Sequence, residues 1–247
     1  MERNLEELER AKMALREKVR VVVLTGAGVS KESGVPTFRG KNGLWKEFRA
    51  QELATPEAFK RNPALVWEFY EFRRALVSRA VPNPAHVALA ALEARVPHFY
   101  LITQNVDGLH ARAGSKNILE LHGNLFRTRC LGCGVFEESF AVPIAQKLPP
   151  LCHHCGGLLR PDIVWFGEPL PAGVMNQAFE EAGQCEAMLV IGTSGLVFPA
   201  AGLPGLAKDA GAFLIEINPE STPLSPMADV CLRGPAASVL PRLLQEP

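Results

Sequence analysis

The chain has 247 residues, of which 47% are hydrophobic and 21% charged, as is typical of a soluble globular protein. Lys and Arg together number 26, as do Asp and Glu, so no net charge attracts nucleic acid or an anionic membrane. No apolar run is long enough to cross a bilayer, and the N-terminal segment mixes acids and bases, unlike a targeting peptide. We therefore expect a cytoplasmic protein that binds neither membranes nor a specific nucleic acid.

Alternating strands and helices are predicted along most of the chain. Leu5, Leu8, Ala11 and Leu15 recur at helical spacing and predict an amphipathic helix. The next segment, VRVVVLTGAG, is typical of a strand buried on both faces of a parallel sheet. Similar runs follow as HFYLITQN, NILELHG, AMLVIGTS, AFLIEIN and DVCLRG, with helical segments between most of them. This pattern predicts an α/β fold with a doubly wound, parallel, Rossmann-like sheet.

Two segments interrupt the alternation and predict a second, smaller lobe. Residues 35–76 carry prolines, aromatic residues and helical stretches, and residues 126–163 contain closely spaced cysteines. We expect residues 1–247 to form a single unit. Its Rossmann-like lobe would comprise about residues 1–34, 77–125 and 164–247, and the two insertions would build the small lobe.

Four of the six cysteines form two closely spaced pairs. Cys130 and Cys133 make one C-x2-C pair, and Cys152 and Cys155 make another after eighteen intervening residues, a spacing typical of a four-cysteine zinc site. Each pair directs two thiolates at one point, so that together they complete a tetrahedron. The sequence therefore predicts a zinc ribbon with one structural zinc and no open coordination position.

The loop GAGVSKESG follows the first strand, where a dinucleotide-binding turn is expected. A dehydrogenase fingerprint would need glycine at position 31, which is Lys31 here. Gly26 and Gly28 still allow the backbone to approach a pyrophosphate, and Ser30 adds a hydroxyl. By itself the loop is also compatible with a tight structural turn.

Polar residues follow three further predicted strands, in TQNVDGLH, GTSG and INPE. Turn chemistry accounts for some of these residues. Carboxyl ends of parallel strands, however, are where open α/β sheets bind ligands, so four such ends at one edge favour a ligand site.

His122 stands eight positions before the first cysteine pair, and residue type alone leaves its role open. Four cysteines already fill a zinc tetrahedron, so a fifth ligand has no position. His122 is predicted to end the strand NILEL at the ligand edge of the sheet, just before a glycine. Packing and catalysis both remain compatible with that location.

The motifs GAGVSKESGVPTFRGKNGLW, TQNVDGLHARAG, ELHGNL, the two cysteine pairs, RPDIVWFGE and GTS occur in the order found in sirtuins, the NAD-dependent protein-lysine deacylases. The resemblance extends from about residue 20 to residue 241. Two departures, Lys31 where alanine is frequent and Gly195 where serine is common, remove no group that the chemistry needs. The chain thus resembles an enzyme that uses NAD as co-substrate and acts on acyl-lysine proteins.

The resemblance implies roles for individual residues. It makes His122 the catalytic base and makes Asn105 and Asp107 further catalytic residues that line the nicotinamide pocket. NAD contacts are implied for Gly26, Ala27, Gly28, Ser30, Glu32, Pro36, Thr37, Phe38, Arg39, Trp45, Gln104, Asn105, Val106, Asp107, His122, Gly192, Thr193, Ser194, Asn218, Pro219, Glu220 and Ala236. An extended edge for the substrate peptide is implied for Val164, Trp165, Phe166, Gly167 and Glu168.

In sirtuins, the acyl-lysine oxygen attacks C1′ of the nicotinamide ribose and nicotinamide leaves. The histidine then deprotonates a ribose hydroxyl, which attacks the acyl carbon, and hydrolysis yields lysine and O-acyl-ADP-ribose. An imidazole whose pKa lies near neutrality suits that proton transfer. Mono-ADP-ribosyl transfer would use the same NAD site and remains an alternative.

Two other classes of protein fit less well. A dehydrogenase would carry an acidic residue at the end of a second strand about twenty residues after the glycine loop, where this chain has GLWKEFRA, which looks helical. A zinc-ribbon module for nucleic acid would carry basic and aromatic residues around the cysteines, whereas this chain is neutral. The oligomeric state is not defined by the sequence, and a monomer is compatible with it.

Tyr70 and Arg73 are three residues apart in VWEFYEFRR and would share one helix face. From residue types alone, Tyr70 packs in the core and Arg73 is a solvated charge. The Y-x-x-R pair, however, resembles the desuccinylase-type (class III) sirtuins, where it lies in the acyl-lysine pocket, and this match selects Arg73 over Arg74. A guanidinium binds a succinyl or malonyl carboxylate bidentately but gains nothing from an acetyl methyl group. The resemblance therefore implies desuccinylase and demalonylase activity.

Overall fold

The computed structural model describes residues 2–36, 44–45 and 48–245. The helices are α1 (Glu2–Arg16), α2 (Ala50–Leu53), α3 (Pro56–Arg61), α4 (Pro63–Ser78), α5 (Pro84–Glu93), α6 (Leu109–Arg112), α7 (Ala172–Gln184), α8 (Leu203–Asp209) and α9 (Ala236–Leu244). The strands are β1 (Arg20–Thr25), β2 (Leu44–Trp45), β3 (Phe48–Arg49), β4 (His98–Thr103), β5 (Ile118–Glu120), β6 (Gly123–Cys130), β7 (Phe136–Glu138), β8 (Leu159–Ile163), β9 (Ala187–Ile191), β10 (Phe213–Ile217) and β11 (Val230–Leu232). Short 3₁₀ helices cover Ala27–Ser33, Ala200–Gly202 and Ser225–Met227.

In the described part of the chain, six strands form a parallel sheet in the order β11-β10-β9-β1-β4-β5. Each of the six predicted strand segments contains one of these strands. The direction in which strands are added to the sheet reverses at β1. The chain adds β4 and β5 on one side of β1 and then β9, β10 and β11 on the other, as in doubly wound folds. The predicted parallel sheet is confirmed.

Both faces of the sheet are buried, as the β-branched runs predict. Val21 and Val23 of β1 pack in one core with residues of α1, α5 and α9. Val22 and Leu24 point to the opposite face and pack with residues of α7 and α8. Burying each of these side chains contributes about 1.5–3 kcal/mol, so an uninterrupted apolar strand is stable only between two helical layers.

A smaller lobe contains a separate antiparallel sheet in the order β7-β6-β8, which packs against α2, α3 and α4. Its helices begin at strong local signals. Thr55 and Asn62 cap α3 and α4 by accepting a hydrogen bond from the backbone three residues on, and each is followed by proline at the first helical position. Buried residues of these helices and of β6 and β8 form one hydrophobic core, which belongs to the small lobe.

Two expectations about local structure were wrong. The segment GLWKEFRA, which looks helical, contains β2 and β3, which pair antiparallel in a sheet of their own. Its aromatic residues favour extended backbone. It still supplies no second strand to the parallel sheet. His122 does not end a strand, because β5 stops at Glu120 and His122 lies in the turn that leads into β6.

No helix in residues 2–36 or 48–245 is long and apolar enough to cross a membrane.

Candidate active site

The glycine loop after β1 is packed directly against the loop after β9. Gly26 and Gly28 donate backbone hydrogen bonds to Ile191 and Gly192 at 3.0 and 2.8 Å. A Cβ atom on Gly28 would lie 2.7 Å from the Cα atom of Gly192, so only glycine permits this contact. The two loops therefore form one surface at the carboxyl edge of the sheet, which is where such folds bind nucleotides.

Ser30 is fully buried and joins the glycine loop to the motif TQNVDG. Its hydroxyl donates to Asp107 Oδ2 at 2.8 Å and lies 3.2 Å from Asn105 Nδ2, which donates to it. His86 Nε2 lies 3.3 Å from the same hydroxyl. Because His86 Nδ1 accepts from the Asn83 backbone at 3.2 Å, its hydrogen is on Nε2, which donates to Ser30. Ser30 thus holds Asn105 and Asp107 in a fixed relation.

Asp107 is a buried carboxylate at this edge. Burial raises the pKa of Asp107, while hydrogen bonds from Leu109 and Ser30 to its charged form oppose that rise. Perturbed carboxylates in a cleft are typical of binding and catalytic sites.

A pair of buried histidines supports the network and was missed in the sequence. The rings of His86 and His110 lie 4.8 Å apart, and His110 Nε2 is 3.1 Å from Thr25 Oγ1. Burial lowers the pKa of His86 to about 4 and that of His110 to about 3. Both rings are therefore neutral at neutral pH. The two histidines are twenty-four residues apart and lie on different helices, so the sequence did not indicate that they are in contact.

His122 is partly buried and has a fixed orientation. Its Nδ1 lies 2.8 Å from the backbone oxygen of Gln104, and a carbonyl can only accept, so Nδ1 carries the hydrogen. Burial lowers the pKa of His122, and the hydrogen bond to Gln104 opposes this. In the neutral ring, Nε2 therefore has a lone pair and can accept a proton.

Gln104 connects three strand ends. Its side chain donates to Thr193 Oγ1 at 3.0 Å, and Asn218 Nδ2 donates to the Thr193 backbone oxygen at 2.8 Å. The predicted convergence of GAG, TQN, GTS and INPE at one edge is therefore present in the structure.

The departure at Gly195 has a structural reason. Its φ angle is +66°, and a Cβ atom would lie 2.7 Å from Leu224 Cγ. A serine at this position would be strained and would displace Leu224.

Other predicted NAD-binding residues vary in exposure. Exposed positions are Glu32 in the first 3₁₀ helix and Pro36, Pro219 and Glu220 on loops. Ala27, Val106 and Ser194 are partly buried. Ala236 is buried at the first position of α9, so it can offer a backbone N–H but little side-chain surface. Thr37, Phe38 and Arg39 lie outside the described residues, as does the side chain of Trp45.

The segment Val164–Glu168 lies directly beside His122, since Val164 N donates to the His122 backbone oxygen at 3.0 Å. It follows β8 directly, and the chain turns at Phe166 and Gly167. The Glu168 side chain accepts from Trp165 N at 2.9 Å and stabilises that turn. The turn rules out a continuous extended edge over all five residues, and the binding of a substrate peptide to this segment stays a prediction.

Cys130, Cys133, Cys152 and Cys155 come together, with all four sulfur atoms within 4.8 Å of one another. Cys130 and Cys155 are 3.4 Å apart, and Cys133 and Cys152 are 3.7 Å apart. Sulfur atoms around tetrahedral zinc are about 3.8 Å apart, given Zn–S bonds of about 2.3 Å. The cluster therefore fits one structural zinc with four thiolate ligands. His153 and His154 are exposed.

Comparisons with known proteins agree with this architecture. The Sir2 family model matches residues 26–199. The NAD-dependent protein deacylase of Aquifex aeolicus is 52% identical over 227 residues, which cover 92% of this chain and 95% of that protein. The NAD-dependent protein deacylase of Thermus thermophilus is 51% identical over 244 residues, covering 97% of this chain and 95% of that protein.

Among solved structures, the crystal structure of a Sir2 homolog–NAD complex is similar, with a TM-score of 0.89 and 49% identity. The match covers 96% of this chain and 92% of that one. The chain belongs to the Sir2 family, and the predicted sirtuin fold is confirmed.

Proposed function

We propose that this chain is an NAD-dependent protein-lysine deacylase, which transfers the acyl group of a modified lysine to ADP-ribose. The observation that carries the proposal is the geometry of His122. Its Nδ1 is fixed by the Gln104 backbone, its Nε2 can accept a proton, and its backbone binds the segment that begins at Val164. A base is thus held between the glycine-loop surface and a segment suited to a peptide.

NAD supplies an electrophilic C1′ carbon when its nicotinamide leaves. The chain's own groups bind and orient the reactants. The Asp107 carboxylate can accept from the carboxamide of nicotinamide, and the Asn105 amide can donate to it or accept from it. His122 Nε2 would accept the proton of a ribose hydroxyl, which makes that oxygen nucleophilic toward the acyl carbon. We also propose that the remaining predicted NAD-binding residues contact NAD at this site. We further propose a cytoplasmic location.

The direct test is to incubate the protein with NAD and acyl-lysine peptides and to follow the products by mass spectrometry. Deacylation predicts nicotinamide, free lysine peptide and O-acyl-ADP-ribose in equal amounts. Transfer of ADP-ribose to a protein without loss of the acyl group would favour mono-ADP-ribosyl transfer instead.

We further propose that the acyl pocket prefers succinyl- and malonyl-lysine, on the geometry of Tyr70 and Arg73. Both lie on α4, and the Arg73 guanidinium carbon is 5.6 Å from the centroid of the Tyr70 ring. Tyr70 is buried, whereas Arg73 is partly exposed. Tyr70 contacts Trp165, which belongs to the predicted peptide-binding segment, so this pair lies near the expected path of the lysine.

Arg74 has a different role. It is fully buried and donates to the backbone oxygens of Leu125, Ser139 and Ala141 at 2.6–2.8 Å. It also forms an ion pair with Glu71 at 2.9 Å. These contacts anchor α4 to β6 and to the segment that follows β7. Arg74 is thus already engaged, which supports Arg73 as the residue that contacts the acyl group.

Arg73→Met should lower kcat/KM on succinyl- and malonyl-lysine peptides by about tenfold to a hundredfold. A charge-assisted hydrogen bond contributes about 1.5–3 kcal/mol, which an acetyl group cannot use. Acetyl-lysine activity should change much less. Arg79→Met is the matched control, because it removes an exposed arginine at the end of the same helix. Equal losses on acidic and acetyl substrates, or no loss on either, would mean that Arg73 does not read the acyl chain.

A further inference from the structure

Trp165 lies in the predicted peptide-binding segment and contacts Tyr70 of the proposed acyl pocket. Its indole Nε1 lies 2.9 Å from the Tyr70 oxygen, and both side chains are buried. An indole nitrogen can only donate, so the Tyr70 oxygen accepts this bond. The hydroxyl hydrogen of Tyr70 must then point away from the indole.

We propose that Trp165 is a positioning residue for acyl selectivity, which orients the Tyr70 hydroxyl to donate to the carboxylate of a succinyl or malonyl group. This inference rests on the proposed acyl-reading function of Tyr70 and Arg73. By binding the Tyr70 oxygen from one side, Trp165 limits the directions in which the hydroxyl can donate, and so lowers the cost of ordering it when substrate binds.

The indole itself is held in place by its neighbours. The Arg160 guanidinium carbon lies 3.5 Å from the centroid of the Trp165 ring, and the Phe59 ring lies 5.2 Å away. Arg160 forms a bidentate ion pair with Glu168 at 2.6 and 2.8 Å. The same Glu168 carboxylate accepts from Trp165 N. The turn that follows the peptide-binding residues therefore fixes the ring that orients Tyr70.

The protonation state of Tyr70 fits this role. Burial raises the pKa of Tyr70, although Arg73 and the bond from Trp165 act in the opposite direction. The phenol thus keeps its hydrogen at neutral pH. A phenolate could not donate, and it would repel a substrate carboxylate.

The test is Trp165→Phe, which keeps an aromatic ring and removes the indole N–H. The ratio of kcat/KM on succinyl-lysine to kcat/KM on acetyl-lysine should fall by about threefold to tenfold, the scale of one net hydrogen bond. Trp67→Phe is the matched control, because buried Trp67 donates its N–H to the Leu159 backbone at 2.9 Å and not to Tyr70. That variant should leave the ratio within about twofold, whatever its stability.

A double-variant cycle separates positioning from packing. In a Tyr70→Phe background, Trp165→Phe should produce no further fall in the ratio, because the hydroxyl it orients is absent. A further fall of the same size there would overturn the proposal, as would equal losses on both substrates in the single variant. The Arg73→Met variant shows whether a negative result counts against the positioning role of Trp165 or against the proposed acyl preference. If Arg73→Met lowers the ratio and Trp165→Phe does not, the acyl-reading pair stands and this inference fails. If Arg73→Met has no effect on the ratio, the proposed acyl preference itself fails.

Discussion

His122→Ala is expected to lower the turnover of deacylation by about 100-fold or more, the usual contribution of a positioned general base. The fold should be intact, because His122 is only partly buried in a turn and its side-chain bond is to one carbonyl. Turnover should be measured at saturating NAD with an acyl-lysine peptide. His153→Ala is the control, since His153 is exposed in the second cysteine pair. A His122→Ala enzyme that works at nearly the wild-type rate would show that this histidine only packs.

The pH dependence of the same reaction gives a second readout. A base must be neutral to accept a proton, so kcat/KM, which reports the pKa values of the free enzyme, should fall as the pH drops through the pKa of His122. Burial lowers that pKa below its usual value of 6.5, so the acid limb should lie below pH 6.5. His122→Ala should lose this limb. A limb centred above pH 6.5 would contradict the assignment.

Loss of the metal is the other change with a large expected effect. Cys130→Ser or prolonged chelation should unfold the small lobe and abolish activity, because thiolate binding supplies folding free energy. Cys130 and Cys152 are buried in the same core as Tyr70 and Trp165, so disorder at the cluster would spread to the proposed acyl pocket. Metal content, thermal unfolding and turnover should be measured together.

Cys231→Ser is the control for this experiment, because Cys231 is half-buried and lies outside the four-cysteine cluster. The Cys231→Ser variant should bind one zinc ion and unfold near the wild-type temperature. A metal-free protein that kept its melting temperature and its full turnover would rule out a structural role for the metal.

Much of the fold was predictable because its signals are local. A strand buried on both faces needs a continuous apolar run, and Val21–Leu24 shows one within a few residues. The zinc cluster was predictable because two C-x2-C turns have a narrow set of geometries. The ligand edge followed from the rule that carboxyl ends of parallel strands meet, as Thr25 and Thr103 do through a hydrogen bond of 2.8 Å.

The parts that were missed depend on contacts between distant residues. His86 looks like an ordinary helix residue, and its link to Ser30 spans fifty-six positions. Arg160 gives no hint in sequence that its guanidinium packs on Trp165. The turn at Phe166 and Gly167 is stabilised by a hydrogen bond from Trp165 N to the Glu168 carboxylate, which a search for alternating strand residues does not detect. Side-chain networks of this kind can be recognised only once the three-dimensional structure is known.

The strand β6 begins at Gly123, next to His122, and ends at the metal ligand Cys130. Seven rises of about 3.3 Å put the two ends of the strand at most about 23 Å apart, and a register shift between Asn124 and Thr128 shortens this span. The cysteine cluster is therefore remote from His122 although one strand joins them. This distance separates two kinds of evolutionary constraint. Under the proposed mechanism the chemistry constrains the start of β6, whereas metal binding and packing constrain its far end. The chain between Cys133 and Cys152 therefore bears on the reaction only indirectly, through the zinc site and through the backbone oxygens of Ser139 and Ala141, which bind Arg74 of α4.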